Sequence, residues 1–114
     1  MRMRFYLLNG AVAVAAALSA ASAEATCTLR PKADATDEQL ARLATISRTD
    51  AERIAVAKVK RHAAVSVVNA ELETEHGCLL WSVDLQLAGG SAIHEVQIDA
   101  GDGRILSVKR ESAR

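Results

Sequence analysis

Few residues of this chain are equipped for chemistry. They are His62, His76 and His94, Cys27 and Cys78, Ser47, Ser66, Ser82 and Ser107, and carboxylate pairs such as Glu71 and Glu73. His76-Gly77-Cys78 supplies one imidazole and one thiol, which is half of a soft-metal site. Two ligands are too few, and oxidation of Cys78 would remove one of them. A cysteine hydrolase needs a thiolate activated by a nearby base, and the chain has no Gly-rich loop to serve as its oxyanion hole. The serines fall at a helix cap or in strand-like runs, outside any nucleophile-elbow context. Glu71 and Glu73 stand two apart on a predicted strand, about 7 Å from each other by strand rise. That spacing suits acid–base work, but a flat exposed face offers no pocket for it. These residues therefore predict a non-enzyme that uses neither metal nor cofactor.

The elements that carry them follow from periodicity. Thr36 and Gln39 have capping-box spacing, and Leu40 and Leu43 give a narrow apolar stripe, so a short helix is expected to end near Thr45. Ser47 caps a second helix expected over 47–62, with Ala51, Ile54, Ala55 and Val59 on its buried face. Lys58, Lys60, Arg61 and His62 crowd its last turn, where positive charge complements the helix dipole. The period then becomes two. Val68, Ala70 and Leu72 alternate with Glu71, Glu73 and Glu75, and His76-Gly77 makes a turn. Leu79, Trp81, Val83, Leu85 and Leu87 alternate against Cys78, Ser82, Asp84 and Gln86, with Leu80 as the exception. After Gly89-Gly90, Val96 and Ile98 point inward and Glu95, Gln97 and Asp99 outward. Beyond Gly101-Asp102-Gly103, Leu106 and Val108 complete the inner face. Four alternating runs with three reversals predict an α+β fold, in which an amphipathic helix and a short preceding one accompany a four-stranded antiparallel β-meander. Trp81 is expected in the core beneath the helix, the alternative being an exposed interface anchor.

Residues 1–23 read as a secretory signal peptide: Arg2 and Arg4, an apolar run from Phe5 to Leu18, then Ala21-Ser22-Ala23. Asn9, Gly10 and Ser19 interrupt a run already shorter than the roughly 20 apolar residues of a spanning helix. No stable membrane insertion is expected after its removal. Glu24 occupies the aliphatic position of a lipoprotein signal ahead of Cys27, which argues against lipidation. Removal takes two of 14 basic residues and no acidic ones, leaving 12 against 14, and Trp81 becomes the only aromatic. A nucleic-acid binder wants a basic face and stacking aromatics, so that class is set aside. Export places Cys27 and Cys78 in an oxidising space. An intramolecular bridge is the leading expectation, worth at most about 4 kcal/mol for a loop of roughly 50 residues. Intermolecular pairing and free thiols stay open.

Residues 24–45 form a leader with the short helix, and 46–111 form the domain. In that span, Ile46-Ser47 opening an Ala-rich helix, Glu71-Leu72-Glu73, Trp81-Ser82-Val83 and the hairpin from Glu95-Val96 to Gly103 together resemble the PepSY domain family. The chain departs from the family pattern at Cys78 and at Asp102, where Thr is usual. The resemblance implies a non-catalytic module of exported proteins that restrains a peptidase, with no catalytic set to carry over. On that reading the protein is periplasmic or secreted, and its partner is an exported protein such as a peptidase or cell-envelope enzyme. The partner would dock at a sheet edge or on the outer sheet face, where Glu71, Glu73, Glu75, Asp84 and Glu95 lie with Asp99. The rival expectation is an accessory domain that binds a small ligand or metal for an envelope sensor or transporter.

Overall fold

The computed structural model describes residues 27–60 and 64–111. The expected signal peptide, Arg61 and His62 lie outside the described residues. Two helices, α1 (Asp37–Leu43) and α2 (Arg48–Val59), precede four strands: β1 (Val65–Glu75), β2 (Cys78–Leu87), β3 (Ile93–Asp99) and β4 (Ile105–Glu111). The strands form one antiparallel sheet in the order β1-β2-β3-β4, and both helices lie against it. The fold class is therefore α+β.

Local chemistry sets the boundaries. Thr36 and Gln39 close a reciprocal capping box on α1, with the Thr36 amide donating to Gln39 Oε1 at 2.9 Å. Ser47 Oγ accepts from the Asp50 amide at 3.0 Å to start α2. At the β1–β2 reversal, His76 and Gly77 have φ of 53° and 79°. Two consecutive positive values make a primed hairpin turn, whose twist matches the flanking strands.

Alanines decide how the layers meet. Ala51, Ala55 and Val59 of α2 are buried against Ala70, Val83, Leu85, Val96 and Ile98 of the sheet. The small side chains on helix and strand let the backbones approach while the branched ones fill the space between. A second cluster, Leu40, Leu79 and Ala100, lies under α1 and the leader. Trp81 packs against both clusters, and its Nε1 donates to the Ile46 carbonyl at 2.8 Å. Its ring thus fills the inner face while its one polar atom is satisfied at the helix entry.

Two strand positions correct the alternating pattern. Val68 is 55% exposed, because the β1–β2 register slips between Val67 and Asn69 and turns Val65 and Val67 inward instead. On β4, Ile105 and not Leu106 packs on the core, because the β3–β4 register slips beside Ile98; Val108 stays opposite Val96 on the inner face but is 44% exposed at the sheet edge. Each irregularity lies on an edge strand. A β-bulge there twists an edge away from regular pairing with another chain.

The end of the sheet is closed by the leader. Cys27 and Cys78 form an intramolecular disulfide. Beside it, the Asp99 carboxylate is buried and does not belong to the exposed face. Thr28 donates to it twice, from its amide at 2.9 Å and its hydroxyl at 2.5 Å. The amides of Gly101 and Asp102 donate to Asp99 Oδ1 at 2.7 and 3.2 Å, and Arg104 Nη2 lies 3.6 Å from Oδ2. Glycine is required at 101, since a Cβ there would collide with Thr28 Oγ1. Burial pushes the Asp99 carboxyl up, but these hydrogen bonds outweigh it and hold the group below its ordinary range. Its stabilisation is therefore fully present above the unfolded carboxylate pKa, and is lost as pH falls through the lower native value. Replacing Asp99 by Asn sets an NH2 group against either the Thr28 amide or the amides of Gly101 and Asp102, so one of these donor sets loses its acceptor. Urea unfolding of D99N should show a loss of about 2–3 kcal/mol at neutral pH, with less acid sensitivity than wild type between pH 4 and the acid limit. An unchanged urea midpoint would remove Asp99 from this role.

Candidate functional site

The outer face of the sheet, opposite α2, is built by register. Asn69, Asp84 and Glu95 form one rung, Glu71, Ser82 and Gln97 the next, then Glu73, Leu80 and Asp99, and finally Glu75 beside Cys78. The structure thus brings Glu71, Glu73, Glu75, Asp84 and Glu95 onto one face. Glu71 is exposed and the other four are half-buried.

Neutral side chains hold this face in order. Ser82 Oγ donates to Glu95 Oε2 at 2.7 Å, and Asn69 Nδ2 donates to Glu71 Oε2 at 3.2 Å. Ser107 Oγ donates to Gln97 Oε1 at 2.9 Å. The amide of Gln97 in turn donates to both Glu75 oxygens, at 3.0 and 3.1 Å. Gln97 is on β3 and Glu75 on β1, so by register this contact crosses β2 at Leu80. That explains the one apolar residue on the polar side: Leu80 is 3% exposed, with Glu73 and Asp99 opposite it on the neighbouring strands.

The electrostatics are one-sided. Among the described residues, no lysine forms an ion pair with any of the five carboxylates. Burial, then Glu75, Glu71 and Glu95, push the Glu73 carboxyl above its ordinary range. Burial, then Glu95, Glu111 and Glu71, do the same for Asp84. Both shifts show negative charges crowded on a partly buried face, with Lys109 of β4 opposite Glu95 at its margin. Chemically, the face can accept hydrogen bonds and attract cations. Ser82 and Ser107 are each committed to a partner on it, Glu95 and Gln97.

Neither of the described histidines joins this site. His76 occupies the exposed β1–β2 turn, whereas His94 pairs with Leu85 near the far end of β2. Sequence reasoning missed the Asp99–Thr28 contact. Half of it carried a signal, because an Asp two residues before a glycine in a turn commonly accepts that glycine's amide. The other half joins residues 71 positions apart and carried none. No protein-family model, no curated protein and no solved structure matches the chain.

The raised carboxyls carry a stability consequence with a definite sign. The native state binds protons on Glu73 and Asp84 more tightly than the unfolded chain, so stability falls as pH rises through their native values. Glu73→Gln is expected to raise the urea midpoint at pH 7, and this gain should disappear at pH 3.5, where the carboxyl is protonated in either state. A gain that persists at pH 3.5 would trace to packing instead of charge.

Proposed function

We propose that this chain is an exported, non-catalytic binding module of the PepSY kind. Its acidic sheet face docks a cationic surface of another exported protein, a peptidase or cell-envelope enzyme, and restrains it. The observation that carries the reading is the outer face itself: five carboxylates in register, crowded together and ordered by neutral hydrogen-bond donors. Charges arranged this way steer a positive partner and set its orientation.

Three further facts support it. The helix followed by four antiparallel strands spans the stretch whose motifs resemble the PepSY family. The Cys27–Cys78 bridge suits the periplasm or the extracellular space, where disulfides persist. Among the described residues no helix is long and apolar enough to cross a membrane. Docking uses the face in preference to an edge, because both edge strands are irregular and the β4 edge also carries Lys109 and Arg110.

The test is capture by the oxidised, exported protein from a cell-envelope extract, with crosslinking and mass spectrometry, followed by an activity assay on what is retained. Retention of a peptidase or wall hydrolase, slowed by the module and released by octalysine, is the expected result. Reversing Glu71, Glu73 and Glu75 to lysine should weaken retention at least about tenfold. Undiminished capture by that triple variant would eliminate face docking.

A further inference from the structure

A second surface has the opposite character. The leader and α1 enclose a hollow of about 480 Å³, within the size range of sites that take a ligand or a few side chains. Pro31, Ala35 and Leu43 give it an apolar lining, and Arg30, Lys32 and Arg42 bring three cationic side chains to it. Among the described residues, neither Lys32 nor Arg42 has a carboxylate partner. The carboxylates of the same segment, Asp34, Asp37 and Glu38, stay off the lining. Leu43 is 42% exposed one turn beyond buried Leu40, so its apolar surface serves no packing need in the chain.

We infer that this hollow is a second binding site, and that it takes an extended acidic segment of a partner protein whose carboxylates flank one apolar side chain. The lining selects that chemistry. Lys32 and Arg42 would pair with the carboxylates, and the apolar residue would cover Leu43, Ala35 and Pro31. A small anion would use the cations and leave the apolar lining bare. A nucleic acid would need stacking aromatics, and none lines the hollow.

The site is also held in place before any ligand arrives. Its leader wall follows directly on Cys27, fixed by the disulfide, and on Thr28, fixed by Asp99. Leu29 adds a third tie, its carbonyl accepting from the Leu79 amide at 3.0 Å. Its α1 wall is fixed by the capping box and by Leu40. A wall ordered in advance spares the binding step the entropy of ordering a loop. Breaking the disulfide therefore loosens the hollow while leaving the α2–sheet core intact, which links occupancy to oxidation.

The hollow is separate from the acidic sheet face, so the two sites can be tested apart. Fluorescence anisotropy would follow binding of the labelled peptide DELDELD, and of its neutral counterpart NQLNQLN, to the oxidised protein. The acidic peptide is expected to bind at least about tenfold more tightly through the hollow. Arg42→Glu, an exposed change, should weaken it by a similar factor. Leu43→Ser should weaken it a few-fold, reduction of the disulfide should weaken it markedly, and Glu71→Lys should not weaken it. Equal binding to R42E and wild type, or indifference to Leu43→Ser, would overturn the proposal. So would salt-sensitive self-association of the protein abolished by Arg42→Glu, since the occupant would then be the acidic face of a second copy.

Discussion

The Asp99 carboxylate is the contact on which the arrangement of this molecule depends. A buried carboxylate is tolerated only when its charge is met by donors, and Asp99 gathers them from three directions. Thr28 brings the leader, Gly101 and Asp102 bring the β3–β4 turn, and Arg104 brings the approach to β4. Since Leu80 and Asp99 are opposite each other in the sheet, the same residue also fixes the end of the outer face. The disulfide lies beside it and holds the leader covalently. Bond and carboxylate therefore act on one segment by different means, one limiting the unfolded chain and the other satisfying buried donors.

From that end of the sheet the rest is conventional packing. Alanines on α2 let the helix settle on Val83, Leu85, Val96 and Ile98, and Trp81 joins the helix layer to the leader layer. One side of the sheet is thereby committed to the core. The other keeps its polar residues in register and roofs its single leucine with the Glu75–Gln97 contact. The two proposed sites follow from this division: a negative face on the bare side of the sheet, and a positive hollow where leader and α1 meet.

Much of the fold was legible because local chemistry and periodicity agreed. The caps at Thr36 and Ser47, the buried helix positions Ala51, Ala55 and Val59, and the alternation of β2 all stand as their residue types predict. The acidic face was legible for the same reason, since a period of two places Glu71, Glu73 and Glu75 together. The failures have physical causes. A bulge adds one residue to a strand with no marker in its composition, so Val68 and Leu106 lost the core positions that simple alternation gave them. Asp99 was taken for an exposed strand residue because its main partner comes from the other end of the chain. The hollow was invisible for that reason as well, being formed only when the leader folds back against α1.

The account stands or falls on the outer face acting as a cation-binding surface. The most direct measurement is an amide chemical-shift titration of the isotope-labelled, oxidised protein with octalysine at low and high salt. The account predicts salt-sensitive shifts concentrated on Glu71, Glu73, Asp84 and Glu95, with Arg42 and the α2 surface unmoved. Shifts spread evenly over the molecule, or none at low salt, would contradict it.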